Sequence, residues 1–239
     1  MEVIMDIQQL IEIDRDLLLK WNGSGSLFWD GFMWIVSDTK TWIFAAAMLL
    51  YIIFKNTKWT HGMLIIVMLA LTVTLADQFA SGLCKPFFER FRPTQDPELM
   101  YLVDVVNGYR GGRYGFMSSH AANTFAFALF ISLLIRNGWL TCILFLWAAI
   151  PSFSRIYLGV HYPGDVLCGA VSGCVMAVLV YWLYHAIKKK YFECPQYISG
   201  QYTSSGFAIA DIHLFYSVLL LTCLYIVVAG MMVSKYLHF

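Results

Sequence analysis

Long apolar segments constrain this chain more than any other feature of its sequence. Hydrophobic residues make up 59% of its 239 residues, and charged residues only 13%. Six segments approach the ~20 residues that a helix needs to cross ~30 Å of hydrocarbon: 39–54, 61–83, 118–135, 139–156, 163–187 and 212–234. Because lipid offers the backbone no hydrogen-bonding partner, each segment must be helical. The sequence therefore predicts an all-α, polytopic membrane helix bundle of about six transmembrane helices.

The N-terminal segment differs from the rest of the chain. Residues 4–19 place apolar side chains at roughly helical spacing against acidic ones, which is typical of an amphipathic helix on a membrane surface. Residues 27–36 are short and aromatic, and we interpret them as an interfacial or re-entrant approach to the first span. We therefore expect an N-terminal amphipathic and interfacial segment, 1–38, followed by a transmembrane domain, 39–239, that contains all the motifs described below.

The charges of the short loops predict an orientation. The connections after the first, third and fifth spans hold Lys55 and Lys58, then Arg136, then three lysines at 188–190. Short loops rich in Lys and Arg stay on the cytoplasmic side of a membrane. We therefore expect both termini, and the loops after the second and fourth spans, on the opposite, outer face.

The overall charge and the cysteines exclude several classes of function. A net charge of +1 gives no indication of the positively charged surface that binds nucleic acid. The six cysteines lie mostly in apolar stretches and form no CxxC pair, so we expect neither a disulfide framework nor a zinc site.

Three cations fall on the predicted outer face. Lys85 and Arg92 are seven residues apart, about two helical turns, so both can project from one face of a helix before Pro93. Arg155 lies at the edge of another span. Lys and Arg at helix ends also extend to lipid head groups, but the third cation favours a site that binds an anion.

Ser118 and Ser119 immediately precede the apolar run of the third span, and His120 follows them. A serine at this position caps a helix whose free N–H groups favour phosphate, although a plain N-cap is the alternative.

Pro163 suits the first turn of the fifth span, which places His161 just outside the helix and Asp165 within its first turn. A carboxylate that holds one imidazole nitrogen as N–H leaves the other free to act as a nucleophile or base. An aspartate here could instead serve only the helix dipole. The neighbouring histidine favours the catalytic interpretation.

Together the three clusters resemble the signature of the type 2 phosphatidic acid phosphatase family, which reads K-x6-R-P, then P-S-G-H, then S-R-x5-H-x3-D. The first and third motifs match at every defined position, and in the second Met117 and Ser119 stand where the family usually has Pro and Gly. Three ordered motifs are far more specific than any one of them. The resemblance implies an integral membrane lipid phosphatase.

The resemblance also implies a role for each matching residue. His161 would attack phosphorus to form a phosphohistidine, Asp165 would orient it, and His120 would protonate the leaving oxygen. The residues holding the phosphoryl oxygens would be Lys85, Arg92, Arg155, Ser118 and Ser119. Fixed cations and helix N-termini supply the charge that phosphoryl transfer needs, so we expect no metal and no other cofactor. We also expect no obligate protein partner.

Undecaprenyl diphosphate and lipid A phosphates are the first substrates expected for such an enzyme, and phosphatidylglycerophosphate and phosphatidate are further options. The expected location is the bacterial cytoplasmic (inner) membrane, which the chain would cross several times, with the active site facing the periplasm.

Three other functions fit parts of the pattern. A transporter or a non-catalytic anionic-lipid binding protein would use the cations alone, but the chain shows no paired inverted repeats. A metal site at His120 and His161 lacks the compact spacing of known motifs. Haloperoxidase-like oxidation would use the same kind of anion pocket, but membrane embedding argues against it.

Two further features carry weaker expectations. Asp77 is an ionisable residue at membrane depth, and we expect it to pair with a motif arginine or a neighbouring helix rather than to touch the site. The glycine-rich stretch 107–115 suits either a mobile lid over a head group or a flexible connector. The remaining histidines, which we interpret as interfacial residues, are His61, His185, His213 and His238.

Overall fold

The computed structural model describes residues 7–192 and 200–236. Its helices are α1 (Ile7–Trp21), α2 (Leu27–Ser37), α3 (Ile43–Asn56), α4 (Trp59–Asp77), α5 (Lys85–Phe88), α6 (Ser119–Ile135), α7 (Gly138–Tyr157), α8 (Pro163–Tyr191) and α9 (Ile209–Val233). Short 3-10 helices occupy Thr39–Trp42, Pro93–Gln95 and Val106–Gly108, and a π-helix, Gln78–Cys84, joins α4 to α5. Two isolated β-bridges are the only extended pairings among the described residues. The predicted all-α fold is confirmed.

Some sequence predictions fall outside these ranges. Cys194, His238 and residues 4–6 of the predicted amphipathic helix lie outside the described residues.

The predicted number of about six transmembrane helices is not confirmed. Among the described residues, four helical stretches are long and apolar enough to cross a membrane: Trp59–Phe88, Gly138–Tyr157, Pro163–Tyr191 and Ile209–Val233. A fifth arises if α2 and Thr39–Asn56, which meet at a bend of 68°, count as one broken span. Helix α6 is apolar but has only 17 residues, about 25 Å at a rise of 1.5 Å per residue.

The bend that interrupts the first span lies at Asp38. Its backbone is extended, and its carboxylate accepts a hydrogen bond from the Lys40 amide at 3.0 Å, which starts the following 3-10 turn.

Helix α2, the segment interpreted as interfacial or re-entrant, packs closely against α9. There the backbone of Gly31 lies against that of Gly230, because a Cβ on Gly31 would stand only 2.4 Å from the Gly230 carbonyl oxygen.

Helices α6 and α8 form the most extensive helix pair of the bundle. Gly169 and Gly173, one turn apart on α8, face the backbone of α6, and a Cβ on Gly173 would lie 2.1 Å from the carbonyl oxygen of Ala122. Small residues four apart let membrane helices approach this closely. The contact holds the N-terminal ends of α6 and α8 side by side.

The connections lie at two ends of the bundle. At one end, Lys55 of α3 pairs with Asp211 of α9 at 2.6 Å, and the Ser205 hydroxyl donates to the carbonyl of Ile135, the last residue of α6. At the other end α1 packs against α7 and α8 through Leu18, which is fully buried. The motif residues lie at this second end.

Candidate active site

The three predicted clusters meet in space at one end of the bundle, although their residues come from several different helices and connections. Lys85 begins α5, and Ser118 is the N-cap of α6. Arg155 lies in the last turn of α7. His161 follows in the short α7–α8 connection, and Asp165 lies in the first turn of α8.

His161 is almost completely buried and lies between a guanidinium and a carboxylate. Its Nε2 is 3.1 Å from Nη1 of Arg92, and its Nδ1 is 3.5 Å from Oδ2 of Asp165. Because a guanidinium can only donate, Nε2 is the acceptor and is unprotonated. The neutral ring then carries its proton on Nδ1, on the side that faces Asp165.

Burial lowers the pKa of His161 well below its ordinary value, and the positive charges of Arg92, Arg155 and Lys85 act in the same direction. The imidazole is therefore neutral at neutral pH, the form that a nucleophile needs.

Asp165 is fully buried and anchored on both carboxylate oxygens. Oδ1 accepts from Nη1 of Arg90 at 2.9 Å, and Oδ2 accepts from the Tyr162 amide at 3.1 Å. Its backbone carbonyl accepts from the Ser118 amide at 3.0 Å, which ties the start of α8 to the start of α6. Helix α8 begins at Pro163 as predicted.

Arg92 does not share a helix with Lys85, so that prediction is wrong. Helix α5 ends at Phe88 because Glu89 adopts left-handed backbone angles, with φ of 47°. The chain then runs back beside residues 113–115, and the Arg92 amide donates to the Arg113 carbonyl at 3.1 Å. This loop, rather than a helical face, brings Arg92 to His161. Burial and the nearby charge of Arg155 lower the pKa of Arg92 below its ordinary value.

Lys85 contacts the second motif directly. Its Nζ donates to the hydroxyl of Ser119 at 3.0 Å and lies 3.3 Å from the hydroxyl of Ser81. The Ser118 hydroxyl accepts from the Ala121 amide at 3.5 Å, which is a weak N-cap interaction. Ser119, where the family usually has Gly, therefore gives the lysine a fixed partner.

Arg155 is held by two residues that the motifs do not contain. Nη1 donates to the Ser37 hydroxyl at 2.5 Å, and Nη2 donates to the Tyr109 hydroxyl at 3.0 Å. Its buried Nε has no hydrogen-bonding partner among the residues that the structure describes. Burial alone would raise the pKa of Tyr109, but the charges of Arg155 and Arg92 lower it below the ordinary value.

His120 lines a cavity of about 520 Å³ that is almost entirely apolar. Its walls come from α2, α3, α4, α6, α7, α9 and the turn before α3, and they include Trp42, Leu49, Phe127, Leu144, Trp147 and Phe215. A polar site that opens into an apolar space of this size can hold a phosphate and part of a hydrocarbon chain together.

Sequence reasoning missed four residues that contact the motif residues or support them: Asp14, Arg90, Ser37 and Tyr109. Arg90 lies inside the first motif, at a position that the motif leaves undefined, while Tyr109 belongs to the glycine-rich stretch interpreted as a lid or connector. Asp77 accepts a hydrogen bond from Asn123 of α6 at 3.1 Å, which agrees with the expected pairing to a neighbouring helix. In residues 7–192 and 200–236, no group of three or more His, Cys, Asp or Glu side chains is arranged to hold a metal ion.

The motif geometry agrees with a comparison to known families. Residues 63–189, slightly more than half of the chain, match the PAP2 superfamily. The chain belongs to the PAP2 superfamily. The predicted resemblance is thereby confirmed, and with it the class of membrane lipid phosphatase.

Individual relatives extend the match beyond the motifs. The chain is 43% identical over 183 residues to a lipid A 4'-phosphatase of Bacteroides thetaiotaomicron, covering 76% of this chain and 81% of the relative. It is 32% identical to a lipid A 4'-phosphatase of Porphyromonas gingivalis, covering 91% of this chain and 93% of the relative. An undecaprenyl-diphosphatase of Sulfolobus acidocaldarius is 28% identical over 58% of this chain and 61% of its own length.

No solved structure matches the chain significantly. The apolar helices, together with the lipid A 4'-phosphatase relatives, identify a bacterial membrane protein.

Proposed function

We propose that this enzyme removes the 4'-phosphate of lipid A. The observation that supports this substrate is the length of chain over which the relatives align. The two lipid A 4'-phosphatases align with 76% and 91% of this chain. The undecaprenyl-diphosphatase from Sulfolobus aligns with only 58% of it, at lower identity. The similarity to the lipid A 4'-phosphatases therefore extends beyond the motifs to the helices that line the apolar cavity. In this proposal that cavity selects the lipid.

The proposed reaction starts at Nε2 of His161. Its lone pair attacks phosphorus, the bond from phosphorus to the 4'-oxygen breaks, and that oxygen takes a proton from His120. Asp165 stabilises the positive charge that develops on the His161 ring through Nδ1–H. Water then attacks the phosphohistidine, His120 takes one proton from it, and the His161 nitrogen is released with inorganic phosphate.

Arg92 occupies the line of attack before substrate binds, because it donates to Nε2. A phosphate dianion is a better acceptor than a neutral imidazole, so Arg92 turns to a phosphoryl oxygen and frees the nucleophile. Lys85, Arg155, the Ser118 hydroxyl and the Ser119 N–H group hold the remaining oxygens. The dianion also offsets the cationic charge near His120 and so favours its proton-carrying form.

The apolar cavity beside His120 takes an acyl chain of the substrate. Lipid enters sideways from the outer leaflet of the cytoplasmic membrane, and the charged end of the bundle faces the periplasm. This orientation agrees with the lysines in the connections at the opposite end.

The test is phosphate release by detergent-purified protein in EDTA, with lipid A carrying the 4'-phosphate, undecaprenyl diphosphate and phosphatidate as parallel substrates. We expect lipid A to be hydrolysed with the highest kcat/KM. His161→Ala should lose activity by at least about 10³-fold, and His213→Ala, an exposed histidine on α9, should retain it.

Three results would contradict parts of this proposal. Preference for undecaprenyl diphosphate would overturn the substrate, and full activity in His161→Ala would overturn the nucleophile. Loss of wild-type activity in EDTA that Mg²⁺ restores would overturn the metal-free mechanism.

A further inference from the structure

We propose that Asp14, on helix α1, is a positioning residue that acts through Arg90 on Asp165. The inference rests on the proposed function of Asp165 as the partner of the His161 nucleophile. Helix α1 lies outside residues 63–189, the part of the chain that matches the superfamily, so the family motifs do not include Asp14.

Asp14 is connected to the nucleophile by a chain of short contacts. Its Oδ2 accepts from Nη2 of Arg90 at 2.8 Å, and Nη1 of the same guanidinium donates to Oδ1 of Asp165 at 2.9 Å. The other carboxylate oxygen of Asp165 is the one that faces Nδ1 of His161, at 3.5 Å. One arginine is therefore shared between a carboxylate on α1 and the carboxylate beside His161.

Asp14 makes a second contact at the same place. Its Oδ1 accepts from the Gly164 amide at 2.7 Å, within the first turn of α8. A Cβ on Gly164 would lie 2.9 Å from Oδ2 of Asp14, so the carboxylate fits closely over this turn. Asp14 thus fixes both the arginine that binds Asp165 and the backbone that carries Asp165.

Several contacts hold α1 in place so that Asp14 can do this. Leu18 is fully buried in a cluster with Leu99, Val103, Ile156 and Tyr162. Arg15 forms ion pairs at 2.7 Å with Glu98 and at 3.5 Å with Asp96. The Arg90 guanidinium, to which Asp14 of α1 is bound, is itself stacked 3.9 Å above the ring of Tyr162. The helix is therefore seated on the bundle at this point.

Sharing Arg90 controls the carboxylate of Asp165. Burial alone would lower the pKa of Arg90, but Asp165 and Asp14 raise it, so the guanidinium stays charged. With Asp14 in place, Nη1 of Arg90 donates to Asp165 and Nη2 donates to Asp14. Without Asp14, both nitrogens donate to Asp165, since bidentate pairs are favoured. That shift draws Asp165 away from His161 and weakens its orientation of Nδ1–H.

The experiment measures kcat and KM of purified Asp14→Asn, with Asp16→Asn as the matched control. Asp16 is an exposed aspartate on the same helix, and within residues 7–192 and 200–236 its side chain forms no hydrogen bond or ion pair with the site. We expect Asp14→Asn to lower kcat by about tenfold or more with KM nearly unchanged, and Asp16→Asn to match wild type. Asp14→Glu should recover part of the loss.

A double variant separates positioning from simple loss of stability. If Asp14 acts through Asp165, adding Asp14→Asn to Asp165→Asn should lower kcat no further. Independent, multiplying losses would overturn the proposal, as would wild-type kcat in Asp14→Asn. Should Asp14→Asn fail to fold, Arg90→Lys serves instead, because one ammonium cannot span both carboxylates, and wild-type kcat in that variant would also overturn it.

A second readout needs no substrate and so keeps the two proposals distinguishable. In protein labelled with ¹⁵N-histidine, the His161 ring signals, assigned with His161→Gln, should shift in Asp14→Asn and stay in place in Asp16→Asn. Unshifted signals overturn the positioning role. Wild type that hydrolyses no lipid phosphate, with shifted signals, overturns the proposed function alone.

Discussion

The protonation state of His161 is controlled by residues from three separate parts of the chain. Arg92 donates to Nε2, and Asp165 faces Nδ1. Arg155 and Lys85 add positive charge nearby. Burial and the three cations favour the neutral ring. Arg92 at Nε2 and Asp165 beside Nδ1 favour the tautomer with its proton on Nδ1, the one that nucleophilic attack requires.

The lowered pKa of His161 predicts that the stability of the protein depends on pH. The folded-state pKa of His161 is depressed below its ordinary value of 6.5, so below that pH the unfolded chain binds a proton that the folded chain does not. Stability from this residue is therefore lost as pH falls, by up to about 1.4 kcal/mol per pH unit. The Tm of detergent-solubilised wild type, measured from about pH 7 to about pH 5, should fall more steeply than that of His161→Gln. Parallel curves for the two proteins would contradict this prediction.

At the scale of elements, the contact between α6 and α8 determines the distance between the two histidine motifs. His120 lies in the first turn of α6, and His161 lies two residues before the start of α8. Gly169 and Gly173 let the two backbones touch. Any widening of this contact separates the proposed acid from the proposed nucleophile.

Gly173→Ala should therefore lower both stability and activity. Its Cβ would lie 2.1 Å from the Ala122 carbonyl oxygen, so the helices must move apart, at a cost of about 1–3 kcal/mol. We expect a lower Tm and a lower kcat. Gly138→Ala is the control, because a Cβ there meets no atom within 4 Å. Equal behaviour of the two variants would show that close packing at Gly173 is unimportant.

At the scale of the whole molecule, the bundle has two chemically different ends. One end holds the buried cations and the histidines of the site, while helix ends at the other carry exposed lysines such as Lys189 of α8. The proposed orientation places the end that holds the site on the periplasmic side of the membrane.

Cysteine labelling tests that orientation. In a functional variant whose native cysteines are replaced, Gly112→Cys should react with a membrane-impermeant maleimide in intact spheroplasts. Lys189→Cys should react only after the membrane is permeabilised. Gly112 suits the probe because a Cβ there meets open space. The reverse labelling pattern would place the site on the cytoplasmic side.

Much of the site was predictable because its signals are local. Pro163 and Asp165 define the start of α8 within three residues, and Ser118 begins α6 in the same way. Long apolar stretches predicted helices because lipid permits little else. The prediction failed where local signals were misleading: Glu89 ends α5 with left-handed backbone angles, and the bend at Asp38 interrupts the first span.

The sequence by itself determined the all-α membrane fold, the superfamily and the residues proposed to bind and attack phosphate, because each depends on composition or on spacing within about ten residues. Only the tertiary structure decided which partners those residues have. Arg90 reaches Asp165 across 75 positions, and the Asp14 contact with Gly164 spans 150. Such contacts depend on how helices pack against one another, and no periodicity or motif in a single sequence encodes that packing.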